Sequence, residues 1–298
     1  MCVNMEIMEI IKDSFLFPSK NLGTFSIYVV LSVLVATFTF GGIFSYLLGF
    51  IGSEYILIGG LTLVFAMLIG WVMSGYEISI IKSGIDLDDE IPEFKWWDNF
   101  ITGFLNFIVA IVYFIIPAFI VGVVGYLINI NDKLMAVAQE ISSLYPNIFL
   151  TSSPDIAFEA LSQAIIELIV PLAILIIVAL IVFVIFLFLQ SMAEARLANT
   201  GSLSEALNIF EAAKDIKRIG VRKVIIVILL VFVIIGVIGM VTSVIFDYVP
   251  TLSILSIIIS PYLVFFAQRA TGLLYSAIAY YFKLFFFLFF KSVFSLLF

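Results

Sequence analysis

Few residues of this chain are equipped for chemistry, and their types limit what it can do. Histidine is absent and the single cysteine is Cys2, so the commonest general base and the usual soft metal ligands are missing. No nucleotide-binding loop, serine-hydrolase motif or basic, aromatic-lined nucleic-acid surface is found. We therefore expect no catalytic residue, no metal ligand and no cofactor, and a protein that is not an enzyme.

Three ionisable residues lie in or beside long apolar stretches: Glu77, Glu167 and Arg269. Such residues are costly inside a membrane and often mark functional sites. With a rise of about 1.5 Å per residue, Glu77 and Arg269 are predicted close to one face of the bilayer and Glu167 close to the other. Because long side chains can snorkel to water, we expect interfacial positions rather than a buried relay. A functional role remains the alternative.

A second group of candidates is basic and consists of Lys214, Lys217 and Arg218. The pattern predicts an amphipathic helix over 202–218, with Ser202 and Glu205 at capping-box spacing. The lysines and arginine fall at its C-terminal end, where the helix dipole favours cations. Anchoring at the membrane surface and recognition of an anionic lipid head group both fit this pattern.

The segment 86–98 is acidic and aromatic. Asp86, Asp88 and Glu90 suggest a cation site, but the glycine turn and the terminal glutamate of an EF-hand loop are missing. We instead expect the acids to face water while Trp96 and Trp97 lie at the lipid interface.

The amino-acid composition indicates that most of the chain lies in a lipid bilayer. Hydrophobic residues make up 64% of the 298 positions and charged residues 12%, against about 25% charged in soluble domains. Charge-free runs long enough to cross the bilayer predict a polytopic all-α transmembrane bundle. Its six spans are predicted at about 22–52, 55–81, 100–130, 164–192, 223–246 and 251–274, in a single domain over 1–281.

The distribution of lysine and arginine predicts the orientation. With the N-terminus inside and six spans, all of the 14 basic residues except Lys133 fall on the cytoplasmic side, which follows the positive-inside rule. We expect a cell-membrane protein with both termini cytoplasmic.

Short segments outside the spans complete the predicted fold. Residues 4–16 and 202–218 are expected to form cytoplasmic interfacial helices, and 132–163 a small extracytoplasmic helical cap. The Phe-rich tail, 282–298, is expected to lie at the interface or pack loosely. Gly236 and Gly239 are expected at helix–helix contacts. Three prolines fall inside spans, where they can kink helices: Pro117, Pro171 and Pro261.

An internal repeat is a further hypothesis. A shift of 117 residues places Gly84 on Gly201 and Asp98 on Asp215. The repeated segments would be 55–130 and 165–246, related as a parallel repeat.

Two stretches resemble a known family. The first runs from Gly75 to Gly84 and continues through Glu90-Ile-Pro-Glu-Phe-Lys-Trp-Trp-Asp98 to Gly103, and the second runs from Ala195 through Gly201 to Phe210. Over about residues 10–281 the chain is similar to the family catalogued as domain of unknown function 4013, which is frequent in methanogenic archaea. The Phe-rich tail departs from it. The resemblance implies an archaeal polytopic membrane protein without an assigned activity, so it supplies no functional residues.

Two functions therefore stay open. The preferred interpretation is a non-enzymatic membrane module that organises lipids or partner proteins, favoured by the amphipathic segments and the lack of buried charge; the alternative is a transporter. The repeat and the prolines favour a small-solute permease or exporter. Expected partners are membrane lipids and either a second copy or another membrane protein, but no nucleic acid.

Overall fold

The protein is helical throughout its regular structure. The computed structural model describes the backbone of residues 5–147 and 154–297 and the side chains of 5–142, 161–163 and 165–279. Within these ranges the elements are α1 (Ile7–Leu16), α2 (Leu22–Leu47), α3 (Ser53–Ile85), α4 (Trp96–Leu127), α5 (Ile130–Asn147), α6 (Pro154–Thr200), α7 (Leu203–Ala206), α8 (Ile209–Ile219), α9 (Val221–Tyr248) and α10 (Ser256–Leu297). The predicted all-α fold is confirmed.

Within the described part of the chain, six helices are long and apolar enough to cross a membrane, as predicted. They are Leu22–Phe50, Ser53–Ile85, Trp96–Leu127, Leu161–Thr200, Val221–Tyr248 and Pro250–Ala279. Most large apolar side chains of these helices are exposed on the surface of the protein. This distribution suits a hydrocarbon solvent, which accepts apolar surface without cost.

The described helices form two compact units. One comprises Met1–Ala110 and Phe188–Phe298, and the other comprises Ile111–Leu187. In the larger unit, α2 and α3 form a hairpin through a short turn, and α9 and α10 form another. We call the end with these two turns the turn end, and the end where α3 meets α4 the motif end.

An aromatic cluster forms the core of the larger unit. Phe25 and Tyr28 of α2 and Tyr76 of α3 pack around Phe265 of α10. Ring centroids of Tyr28 and Phe265 lie 5.0 Å apart in an edge-on arrangement, a geometry that aromatic pairs favour. These contacts fix α2, α3 and α10 at one level along their axes.

Glycines allow the helix backbones to approach closely at two crossings. A Cβ at Gly75 would overlap the carbonyl of Asn99, and one at Gly103 would overlap the carbonyl of Trp71. At the crossing of α3 and α10, Gly84 faces Gly272. Only glycine permits backbones this close.

The prediction for Gly236 and Gly239 was wrong. No atom lies within 4 Å of a Cβ placed at either position. Both glycines face open space along α9, so neither lies at a contact with another described helix.

The smaller unit brings the first part of α6 against the later part of α4. Tyr113 is buried and lies 6.4 Å from Phe186, centroid to centroid. Pro117 and Pro171 lie inside their helices, as the sequence predicts. Helix α5 forms the start of the expected cap, whereas residues 148–153 of that cap lie outside the described residues.

The amphipathic segments differ from prediction in two ways. The helix expected over 202–218 is broken at Leu207-Asn208, and Asn208, not Ser202, caps α8 by accepting from Glu211. Phe210, on α8, is 82% exposed.

The tail continues the last helix. The backbone of α10 continues as a helix through Leu297, with no break at the boundary expected near 282. The side chains of 280–297 lie outside the described ranges.

Candidate functional site

Glu77 lies inside the larger unit instead of reaching the interface. It is eight residues before the end of α3 at Ile85, which places it about 12 Å along the axis from that end. Tyr28 donates its hydroxyl to one carboxylate oxygen at 2.5 Å, and Gln268 donates its amide to the other at 3.2 Å. The expectation that Glu77 snorkels was wrong, because α2 and α10 supply donors that satisfy it within the bundle.

A second carboxylate lies close to Glu77. Glu194 of α6 accepts a hydrogen bond of 2.9 Å from Gln190, one turn earlier, and it is within electrostatic range of Glu77. The sequence offered no carboxylate pair, since 117 residues separate the two acids. That separation equals the shift of the proposed repeat, which was the signal that could have revealed them.

A cavity of about 420 Å³ reaches Glu77 between α3, α9 and α10. It follows α9 from Ile235 to Phe246, a distance of about 16 Å, towards the turn end. Its lining is mostly apolar but includes three hydroxyls, those of Thr242, Ser256 and Ser260. Glu77 and Gln268 lie at one extremity. Gly239 lies along its wall, so the open space at this glycine belongs to the cavity.

Arg269 is the next predicted candidate, and it too is enclosed. It is 1% exposed. Its guanidinium binds Asp13 of α1 at 3.0 Å, the backbone carbonyl of Asp88 at 2.5 Å and the hydroxyl of Ser83 at 3.3 Å. The snorkelling expectation was therefore wrong for this residue as well, because the loop after α3 and helix α1 cover it. Arg269 fixes α1 to the motif end.

Arg196 was not among the predicted residues, yet it makes an equivalent arrangement. It binds Asp215 of α8 at 2.7 Å and the backbone carbonyl of Glu205 at 3.0 Å, and it also pairs with the Glu205 carboxylate. Asp215 is 1% exposed and accepts a further bond of 2.9 Å from Tyr275. Helices α1 and α8 are thus each joined to a long helix by an ion pair between an aspartate and an arginine.

Two residues of the basic cluster, Lys214 and Arg218, form ion pairs with acidic residues of their own helix, α8. Arg218 binds Asp215 at 2.7 Å and Lys214 binds Glu211 at 2.6 Å. The hydrogen bond from Lys214, followed by the charges of the cations nearby, holds the pKa of Glu211 below its usual range. Lys217 is exposed and makes no ion pair with any residue whose side chain is described.

Glu167 belongs to the smaller unit, near the beginning of the apolar part of α6. Its side chain is exposed. The six predicted candidates therefore do not form one site. Glu77 lines a cavity, Arg269 forms an ion pair and Glu167 is exposed. The other three, Lys214, Lys217 and Arg218, lie on α8.

The acidic segment 86–98 holds no metal cage. Among the described residues, no three carboxylates, cysteines or histidines are close enough together to hold an ion. Trp96 and Trp97 are 58% and 70% exposed, whereas Phe94 packs on Tyr76 with ring centroids 4.8 Å apart. The hydrogen bond and charge of Lys20 hold the pKa of Asp89 below its usual range.

These features define an integral membrane protein: an α-helical bundle with six candidate spans and a carboxylate-bearing cavity among them. The chain belongs to the family described as protein of unknown function (DUF4013), whose model matches residues 58–247. The matched segment contains both Glu77 and Glu194. No curated protein and no solved structure matches the chain.

Proposed function

We propose that this protein is a small-solute permease or exporter whose cargo carries a positive charge on an apolar body. The observation that supports the proposal is the cavity ending at Glu77. A carboxylate in a low-dielectric site attracts cations far more strongly than one in water. The apolar walls, formed by α9 and α10, would bury the remainder of such a solute.

The second carboxylate strengthens this proposal. Glu194 lies within electrostatic range of Glu77, so a cation bound at Glu77 relieves the repulsion of two like charges. Gln190 and Gln268 keep each acid oriented through one hydrogen bond. The proposed function needs no catalytic group and no cofactor.

The alternative, a module that organises lipids or partner proteins, has weaker support. It was favoured by the cytoplasmic amphipathic helices and by the lack of buried charge. In the structure the inner sides of α1 and α8 pack against the spans, with Ile10 and Ala212 completely buried. We propose the orientation with both termini in the cytoplasm, in which the cavity extends towards the extracytoplasmic side.

The test is a flux assay in proteoliposomes with two probes, ethidium and tetraphenylphosphonium, under an imposed pH gradient or membrane potential. We expect saturable movement of at least one probe in wild-type vesicles and a loss of about tenfold or more in Glu77→Gln, because a neutral amide cannot attract the cation. Glu167→Gln is the matched control, since it removes an exposed carboxylate from the other unit.

Two results would overturn the proposal. One is movement of both probes at the rate of protein-free vesicles. The other is equal movement by wild type and Glu77→Gln when both variants elute as folded protein of the same size.

A further inference from the structure

A second cavity, separate from the Glu77 cavity, lies at the motif end of the larger unit. Its volume is about 470 Å³. It is formed where the C-terminal end of α3, the N-terminal end of α4 and the C-terminal end of α6 come together. We call it the motif pocket.

The two stretches that carry the family resemblance converge on this pocket. Ser79 and Lys82 come from the first stretch, Glu93 and Asp98 from its continuation, and Leu197 from the second. The sequence suggested no reason for these stretches to lie together, because nearly a hundred residues separate them. The tertiary structure makes them walls of one cavity.

The floor of the motif pocket contains an unsatisfied amide. Asn99 lines the pocket and is 2% exposed. Its Oδ1 accepts a hydrogen bond of 3.4 Å from Ser79, but its Nδ2 makes none with any residue that the structure describes. A buried donor without an acceptor is destabilising, so an acceptor supplied by a ligand in the pocket would stabilise this amide.

The rim of the pocket carries charges of both signs without partners. Lys95 is exposed, as are Glu93 and Asp98, and none of the three forms an ion pair with the described part of the chain. Lys82, in contrast, is bound to Asp86 at 3.2 Å. No three acids are close enough to hold a metal within the described ranges, so the acids favour an organic ammonium group over an inorganic cation.

The start of α4 adds a preference for an anion. Lys95 directly precedes this 32-residue helix, whose first backbone N–H groups have no acceptor within the helix. These groups, the helix dipole and a neighbouring lysine together favour phosphate. Asn99, one turn further along α4, also lines the pocket.

We propose that the motif pocket binds a zwitterion in which a phosphate and an ammonium group are a few bonds apart, as in phosphoethanolamine. The phosphate lies against Lys95 and the amide of Asn99, and the ammonium lies between Glu93 and Asp98. The ligand is either a lipid head group at the membrane surface, where exposed Trp96 and Trp97 lie, or a free zwitterion. This site does not depend on the function proposed for the Glu77 cavity.

The experiment is a titration followed by intrinsic fluorescence. The chain has 3 tryptophans. Trp96 and Trp97 begin α4 between the lining residues Lys95 and Asp98, and Trp71 packs on Phe100 of the same helix. Full-length protein in a lipid-free maltoside detergent is titrated with O-phosphoethanolamine, inorganic phosphate or ethylamine. In the lipid arm, nanodiscs of phosphatidylglycerol contain increasing fractions of phosphatidylethanolamine.

We expect a saturable fluorescence change with O-phosphoethanolamine and at least tenfold weaker binding of either fragment. Lys95→Gln and Asp98→Asn alter exposed side chains, so they are expected to fold, and each should raise the half-saturating concentration about tenfold. Lys217→Gln, an exposed lysine on α8 without an ion pair, is the matched control and should bind as wild type.

Each outcome decides a specific point. Saturation in the lipid arm alone assigns the site to a lipid head group, and saturation in the detergent arm alone assigns it to a free zwitterion. The proposal is overturned if neither arm saturates, if phosphate alone binds as tightly as the zwitterion, or if Lys95→Gln and Asp98→Asn bind as wild type.

Discussion

The hydroxyl of Tyr28 on α2 donates a 2.5 Å hydrogen bond to the carboxylate of Glu77 on α3. The two residues are 49 positions apart in the chain. Tyr28 is 2% exposed and its ring packs against Phe265 of α10, so the donor is held in place by the aromatic core. The membrane carboxylate is therefore oriented by the same contacts that assemble the bundle.

Removing this donor should destabilise the protein. We expect Tyr28→Phe to lower the free energy of unfolding by about 1–3 kcal/mol, because one acceptor of a buried carboxylate loses its partner. Thermal unfolding in detergent, followed by circular dichroism, measures the change. Tyr46→Phe on the same helix is the control, since Tyr46 is 58% exposed; an equal loss in both variants would contradict the assigned role.

The buried ion pair of Arg196 and Asp215 should contribute more to stability than an exposed one. Asp215→Asn is expected to cost about 3 kcal/mol, because Arg196 is 8% exposed and would lose its buried charge partner. Lys82→Gln disrupts a half-exposed pair with Asp86 and should cost about 1 kcal/mol or less. Similar melting temperatures for the two variants would argue against a structural role of the buried pair.

The glycines of α3 should respond in opposite directions to substitution by alanine. At Gly75 a Cβ would overlap the backbone of Asn99, so Gly75→Ala should cost about 1–3 kcal/mol or prevent folding. At Gly60 no atom lies within 4 Å of the added Cβ, so Gly60→Ala should be neutral or stabilise by up to about 1 kcal/mol. Size-exclusion elution and thermal unfolding of both variants provide the measurement.

The pair of Lys20 and Asp89 should matter at neutral pH and not in acid. The hydrogen bond from Lys20 lowers the pKa of Asp89 in the folded state. A lowered folded pKa gives stability that is present above the unfolded value, about 3.9, and lost as the pH falls through the folded value. Asp89→Asn should therefore lower Tm slightly at pH 7 and by progressively less as the pH falls below about 3.9; equal Tm values for variant and wild type at pH 7 would show that the pair is not stabilising.

The proposed orientation can be tested by cysteine labelling in intact cells. In a Cys2→Ser background, an impermeant maleimide should label Ser142→Cys on α5, and should label Ser204→Cys on α7 only after the cells are permeabilised. Both positions are exposed. Reversed labelling would place the termini outside and would contradict the positive-inside prediction.

Much of the fold was accessible from sequence because membrane insertion has a local signature. A span must be a run of about 20 apolar residues, so the six candidate spans could be identified from the sequence. Helix α3 was expected to end near 81 and in fact ends at Ile85. Its last turns carry Lys82 and Ser83, whose polarity suggested a loop, but Ser83 is held by Arg269.

The candidate site was less accessible, because it depends on partners far apart in the chain. Glu77 was recognised as a candidate from its position in an apolar run, but its environment was misjudged. Nothing beside Glu77 in the chain indicates that Gln268, 191 residues away, would donate to it. Arg269 was misjudged for the same reason, since Asp13 is 256 residues away.

The sequence by itself therefore determined the solvent, the helices and the scarcity of charged groups. These follow from composition and from runs of neighbours, because the bilayer imposes the same energetic demand on every span. The tertiary structure decided which charges are paired and where cavities remain. Glu77 became the end of a membrane cavity, Asn99 an unsatisfied donor in the motif pocket, and Arg269 a fixed ion-pair partner, since each result depends on which helices meet and at what level.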